Sequence, residues 1–311
     1  MTKSKPIHQL TIPEFEKMFP HEDACCAYLV ANRWPEGVKC PRCGMDVKHN
    51  VSTMPWKWQC YGCAPNSGYR FSHLTGTIFE NTNKPLREWF RVIHLMLTSK
   101  KGISALQIQR MMGFGAYKTA WYMCHRIRAG LQDKHFRKLL GVVEVDEAFI
   151  GGLAKNRHKD KRGPGGGYGG GGGIGSGKTP IAGAVSRKGR VVARVIENVS
   201  ADTLTKFIRE TVSSKVSLVC TDSWKGYGRI GGLFPHATVD HKKGEYVLND
   251  DVIGAIHTQT IEGFWSIFKR GVVGSFHKVS RKYMALYVAE FCFRYNNREN
   301  PDIFGEAIRG C

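Results

Sequence analysis

The sequence predicts a multidomain chain: a small β module built on cysteines, a helical segment of the helix-turn-helix kind, then an α/β domain with a mixed sheet. Three observations predict it. Two C-x2-C doublets stand close together near the N-terminus, helical periodicity takes over from Pro85, and the second half alternates β-branched strands with helices. The expected boundaries are 1–80 for the N-terminal helices and cysteine module, 81–140 for the helical segment and 141–311 for the α/β domain, the last interrupted by a glycine-rich insertion at 163–177.

Composition bounds the partners. The 311 residues carry 46 Lys+Arg against 26 Asp+Glu, a formal charge of +20, and 42% hydrophobic residues. That apolar content excludes wholesale disorder, and no stretch approaches the roughly 18 uncharged apolar residues of a membrane span. The first residues lack the apolar run of a signal peptide, so a cytoplasmic chain without a membrane partner is expected. A surplus of positive charge suits a polyanion, and with no basic amphipathic anchor evident, nucleic acid is favoured over a lipid surface. Ten cysteines in a chain this long are too sparse for a disulfide scaffold.

Along the chain, Pro13 opens a short helix and Asp23 to Asn32 form another, before Trp34, Pro35 and Gly37 break the pattern. Cys40-x2-Cys43 and Cys60-x2-Cys63 follow, sixteen residues apart, inside a run of short apolar segments and turns. Each doublet bends round one ion from a tight turn, so the two supply four thiolates in a tetrahedron, the arrangement of a structural Zn2+. A closed four-thiolate site leaves no open position, so this zinc is not catalytic. Lys39, Arg42, Lys48 and Lys57, with Trp56 and Trp58, suit DNA and equally a solubilising surface over a small core.

Behind Pro85, a good first-turn residue, Leu86 to Leu97 form a strongly apolar helix. Ser104–Met112, the turn Gly113–Gly115 and Tyr117–Leu131 then read as helix, turn and second helix. Strands are expected at Val142–Ile150, Ile181–Val185, Arg190–Ile196, Val216–Thr221 and Ala237–Asp240, with helices at Asp202–Ser213, Thr260–Phe268 and Arg281–Asn296. Eleven of the fifteen residues of Gly163–Gly177 are glycine, which marks a flexible loop. The basic run Lys155, Arg157, Lys159, Lys161 and Arg162 before it reads equally as phosphate contacts and as a solvated loop. Gly172-x4-Gly177-Lys178-Thr179 satisfies the P-loop pattern, but a glycine run precedes it and Pro180 with a strand follows. A P-loop needs a strand before and a helix after, so no nucleotide cofactor is expected.

The chemistry rests on carboxylates. Asp146 lies near the end of an apolar strand and Asp222 ends another; acids there are costly unless paired or bound to a cation. Glu144 shares the face of Asp146 by strand alternation and competes with it. Glu262 sits in the first turn of its helix, with Lys269 seven residues on, the same face about 10 Å away. Alone, Glu262 reads as an acid complementing the helix dipole.

Together these residues resemble a family. Val-Glu-Val-Asp-Glu around Asp146, Thr-Asp-Ser-Trp-Lys-Gly-Tyr around Asp222, and His257-Thr258-x-Thr260-Ile261-Glu262-Gly263-Phe264-Trp265-Ser266-x-x-Lys269-Arg270 look like the DDE transposases of bacterial insertion sequences. Arg33-Trp34-Pro35 leading into the first cysteine doublet, and the block from Glu290 to Asn296, resemble the group that carries an N-terminal zinc ribbon. The resemblance implies a ribonuclease-H-like catalytic domain in which Asp146, Asp222 and Glu262 hold two Mg2+ or Mn2+ ions. It also implies that Lys269, with Arg270 beside it, contacts DNA near the element's end. Members of the group often carry Asn where Gln259 stands, and some subgroups use a non-acidic third residue, so Gln259 rivals Glu262. The implied activity is cleavage at terminal inverted repeats and joining of the 3′-hydroxyl to target DNA, by a homo-oligomer assembled on DNA and associated with the nucleoid. The zinc ribbon and helix-turn-helix would hold the repeats, with Lys118, Arg126 and Arg128 on the recognition helix. A zinc-ribbon regulator, an inactive transposase copy and a ribonuclease-H-like nuclease without joining are the alternatives.

Overall fold

A computed structural model of the chain describes residues 11–48, 50–133, 136–151, 178–239, 248–250 and 254–311. Contacts divide it into two units, Met1–Gln132 with Asn297–Cys311, and Asp133–Asn296.

In the first unit, α1 (Ile12–Met18) opens on a capping box between Thr11 and Glu14, with Pro13 in its first turn. It is followed by α2 (Glu22–Arg33) and by an antiparallel pair, β1 (Lys57–Cys60) and β2 (Tyr69–Ser72). After Pro85 come α3 (Leu86–Thr98), α4 (Ala105–Met112) and α5 (Tyr117–Gly130). Ser104 caps α4 by accepting from the Gln107 N–H, and Gly113 ends it at φ 66°, a left-handed conformation that glycine adopts without strain. This is the expected helix-turn-helix.

The helix Ile303–Gly310 at the C-terminus was not foreseen, and it groups with this unit rather than with the domain expected to run to 311. The reason is packing: Phe304 is fully buried, its ring 5.1 Å from Phe90, 5.8 Å from Phe19 and 5.9 Å from Phe15. The first unit's helical core is thus closed by residues from both ends of the chain.

The second unit is built on a five-stranded sheet. Its strands are β3 (Val142–Ile150), β4 (Thr179–Ser186), β5 (Val191–Val195), β6 (Leu218–Asp222) and β7 (His236–Val239), with α6 (Ala201–Thr211) between β5 and β6. The order is β5-β4-β3-β6-β7. The first three strands form an antiparallel meander, and β6 and β7 run parallel to β3. Three hairpin-linked strands joined to two crossover strands make a ribonuclease-H-like sheet. A short hairpin, β8 (Leu248–Asp250) with β9 (Gly254–Ile256), precedes α7 (Gln259–Gly271) and α8 (Met284–Asn296). The helix expected to stop at Phe268 therefore continues to Gly271 and into a π-helical turn, Val272–Phe276.

Strand alternation sorts the core into two layers. Val143 and Val145 join Leu204, Phe207 and Ile208 of α6 on one face, while Ala148 and Ile150 join Ile261, Phe264 and Phe268 of α7 and Val288 of α8 on the other. Every second residue of β3, Asp146 included, thus faces the α7 side.

Candidate active site

The register of β3 and β6 brings two carboxylates side by side. Glu144 pairs with Cys220, so the same parallel register continued by two residues sets Asp146 beside Asp222. Adjacent strands lie about 4.8 Å apart, and both residues point to the α7 face. The neighbours confirm the layering, since Cys220 belongs to a small cluster with Val239 and Ile256, and Val219 belongs to the α6 layer. The Asp222 carboxylate also accepts from the Trp224 N–H at 3.0 Å, which holds it at the strand's end.

Both sites weaken ionisation. Burial, then the charge of Glu147 and that of Asp222, push Asp146 up to about 7, against the backbone N–H of Glu147 and the positive charge of Lys269. Glu147 is raised as well, by burial first, with the Tyr227 hydrogen bond opposing and the Asp222 charge adding. Glu147 points to the α6 face, where the Tyr227 hydroxyl donates to its Oε2. Tyr227 is fully buried, sits in the short helical turn Lys225–Tyr227, and ends the Thr-Asp-Ser-Trp-Lys-Gly-Tyr block.

Glu144 does not compete for the site. It is 0% exposed and caps α7 from a neighbouring strand. Its Oε2 accepts from the N–H groups of Thr260 at 2.8 Å and Ile261 at 3.1 Å. Its Oε1 accepts from the Thr260 hydroxyl at 2.8 Å and Arg187 Nε at 2.9 Å, with His257 Nδ1 at 3.2 Å. A carboxylate at a helix start satisfies orphan N–H groups and the helix dipole together. The residue preceding α7, Thr258, is thereby released from capping, and its hydroxyl donates to Glu262 Oε1 at 2.9 Å. Alternation along the strand places Glu144 on the right face; that it serves as a cap is visible only in three dimensions.

Helix α7 then advances along β3. Gly183, the β4 partner of Asp146, receives the Trp265 ring, and a Cβ there would lie 2.5 Å from Trp265 Cζ2. Asp146 therefore lies at the level of Trp265, three residues after Glu262 and four before Lys269 on the helix. Glu262, Lys269 and Arg270 are exposed. By helix geometry Glu262 and Lys269 share the flank of α7 beside Trp265, while Arg270 lies opposite the buried stripe of Ile261, Phe264, Trp265 and Phe268. Arg270 folds onto Ser266, with Nη2 2.8 Å from its hydroxyl. Gln259 is exposed in the first turn, its N–H 3.3 Å from His257 Nδ1. Among the described residues, the four cysteines are the group of three or more Cys, His, Asp or Glu donors lying within 4.8 Å of one another, and Asp146, Asp222 and Glu262 are not gathered to that degree. Oxygen donors held where desolvation opposes their charge are nonetheless the chemistry a hard divalent cation takes.

The cysteines fit zinc closely. Cys40 Sγ lies 3.6 Å from Cys63 Sγ, and Cys43 Sγ 3.7 Å from Cys60 Sγ. A tetrahedron with Zn–S bonds of about 2.3 Å has edges of roughly 3.8 Å. Burial raises Cys40, but N–H groups of Cys43 and Arg42 outweigh it and bring the thiol down to about 7, toward the thiolate zinc requires. Gly44, at φ 75°, turns the first knuckle, and its N–H donates to the Cys40 carbonyl. Trp58 is buried here with Phe71, and the Trp56 indole donates to Asp23, so both aromatics serve packing. Arg42 lies over the Tyr69 ring.

On α5 the expectations divide. Lys118 is exposed at its start. Arg126 is half-buried and donates to the Glu80 carbonyl at 3.0 Å. Arg128 is 1% exposed and so is buried in the first unit rather than presented at the surface of α5. After Lys178 the chain enters β4 directly, so the helix start a P-loop requires is not formed. The basic run Lys155–Arg162 and the insertion 163–177 lie outside the described residues. Among the described residues, no helix is long and apolar enough to cross a membrane.

Comparison with known proteins meets this geometry. Residues 138–296, which span the sheet and both helices packed on the Asp146 face, match the ISXO2-like transposase domain. Residues 20–66 match the transposase zinc-ribbon domain, which covers all four cysteines. A relative from Halobacterium salinarum, described as an uncharacterized protein in transposable element ISH50, is 26% identical over 286 residues, which cover 89% of this chain and 92% of the relative. With a ribonuclease-H-like sheet order and four gathered cysteines in place, the chain belongs to the ISXO2-like transposase family, the zinc-ribbon group of insertion-sequence transposases.

Proposed function

We propose that the protein is a DNA transposase that cleaves phosphodiester bonds at the ends of its element and joins the freed 3′-hydroxyl to target DNA. The observation that carries this reading is the placement of Asp146 beside Asp222 on neighbouring parallel strands, under a helix that presents Glu262 and Lys269 on either side of their level. Asp146, Asp222 and Glu262 are the residues that would hold two Mg2+ or Mn2+ ions. When bound, such ions supply Lewis acidity to both the attacking and the leaving oxygen.

The chain's own residues do the rest. Glu144 fixes the start of α7 on β3, and Thr258 orients Glu262 within the first turn. Lys269 places a positive charge within reach of Asp146 and of a scissile phosphate's flank. One site serves both steps because only the nucleophile differs, water for cleavage and a 3′-hydroxyl for joining. The zinc ribbon and α4–α5 would bind the terminal inverted repeats, with Lys118 contacting the backbone. Cutting two ends in concert calls for more than one copy on DNA.

The test is cleavage and joining of a labelled element end by the purified protein. Activity that requires Mg2+ or Mn2+ and disappears in Asp222→Ala supports the proposal, and an active Asp222→Ala variant overturns it. Cleavage without joining would instead establish a nuclease. For the third ligand, Glu262→Gln abolishes activity and Gln259→Ala retains it; the reverse pattern assigns the role to Gln259.

A further inference from the structure

From Gly263 to Ala289 the chain carries Lys269, Arg270, Lys278, Arg281 and Lys282 and no acidic residue. This stretch is the second half of α7, the π-helical turn, the connection to α8 and the first part of α8. The connection is anchored from within. Val272 is buried, and Phe276, Val279 and Tyr283 pack against the α7–α8 core, with the Phe276 ring 4.8 Å from that of Tyr287. The cations therefore face outward, and Arg270, His277, Lys278, Arg281 and Lys282 are all exposed.

Three exposed arginines elsewhere in this unit have carboxylate partners. Arg194 pairs with Glu210 at 2.8 Å, Arg190 with Asp133 at 2.6 Å, and Arg229 with Asp202. Along 270–282 no cation pairs with a carboxylate among the described residues; Arg270 reaches only Ser266, and Lys282 lies over the neighbouring Tyr283 ring. A cluster of like charges without local acids costs self-repulsion, which a polyanion relieves. The stretch also lacks Asn and Gln, the amides that read adenine edges, so it is equipped to grip phosphates without selecting sequence.

We infer that the surface formed by Lys278, Arg281 and Lys282 binds the backbone of the target duplex, the DNA into which the element is joined. This rests on the transposase reading above. Element ends must be recognised by sequence, and the elements suited to that lie in the first unit. Target DNA must instead be accepted with little regard to sequence and held next to the helix that carries Glu262.

The experiment compares the wild-type protein with the triple variant Lys278→Gln, Arg281→Gln, Lys282→Gln. Binding of a duplex of unrelated sequence is followed by fluorescence anisotropy from 50 to 200 mM salt, and joining and cleavage are measured on a labelled element end. Each phosphate contact adds about 0.9 to the log–log salt slope, so the slope should shrink by about 2 to 3 in the variant. The ratio of joining to cleavage should fall about tenfold. An unchanged slope overturns the inference, and because it needs no catalysis it does so whether or not the protein transposes. A reduced slope with joining and cleavage falling in parallel overturns the assignment to target, since the surface would then hold the element end. The variant's thermal unfolding, expected to match wild type at these exposed positions, excludes misfolding as the cause.

Discussion

The Tyr227 hydroxyl donates to Glu147 Oε2 at 2.5 Å, tying the turn that follows Asp222 to the strand that carries Asp146. The bond spans the two segments whose spacing matters most, yet it lies on the opposite face of the sheet from the aspartates. Tyr227→Phe keeps the ring and removes only the donor, leaving a largely buried carboxylate short of a partner. The expected cost is ~1–3 kcal/mol, read as a lower urea midpoint with an unchanged slope. An unaltered midpoint would show that the bond contributes nothing.

Glu144 is the more demanding case, because two backbone donors, a hydroxyl and an arginine converge on it. Glu144→Ala leaves Arg187 without its carboxylate and α7 without its cap, at a cost of about 3–5 kcal/mol. Glu144→Gln keeps an acceptor for the two N–H groups and should fall between. Equilibrium unfolding of the three proteins checks the order.

Removal of zinc should undo the ribbon and leave the ribonuclease-H-like sheet standing. The expected content is one zinc per chain by atomic absorption, lost in Cys60→Ser. Chelation should then abolish binding to the element end while preserving the second unit's protection from hydrogen exchange. Retention of full end binding by the metal-free protein would separate the ribbon from DNA recognition.

Asp146 makes the metal-free protein sensitive to pH in a definite direction. Its acid form is favoured in the folded state, about 7 against an ordinary value of 3.8, so the stabilisation is complete below about 3.8 and is lost as pH rises through about 7. Wild type should therefore lose melting temperature relative to Asp146→Asn between pH 4 and pH 8. Added Mg2+ should raise the wild-type value more at pH 8 than at pH 6, because only the ionised carboxylate attracts it. Parallel melting curves for the two proteins across this range would contradict the shift.

Much of this was legible from residue order. The cysteine doublets, the helices around Gly113 and the strand ending at Ile150 emerge where periodicity and turn residues place them, because those signals are local. The register that sets Asp146 beside Asp222 is not local, since a β6 shifted by one residue would turn Asp222 to the other face while leaving the sequence pattern as apolar as before. Arg128 misled for a related reason: a charged residue on an amphipathic helix counts as surface until its neighbours show otherwise. Glu144 and Tyr227 stood in the motifs from the start, but their bonds span 116 and 80 residues and no spacing rule connects them. The C-terminal helix had recognisable capping by Asp302, yet nothing in its sequence names the distant Phe15 and Phe90 as its partners.

That helix has a consequence for synthesis. The chain leaves the first unit at Gln132 and returns to it at Asn297, so Phe304 reaches the aromatic core only after every residue of the second unit has been made. On the ribosome, the sheet bearing Asp146 and Asp222 can close while the helices carrying Phe15 and Phe90 still wait for Phe304. A nascent chain stopped or frameshifted before Ile303 would thus release a completed second unit joined to a first unit whose aromatic core lacks Phe304.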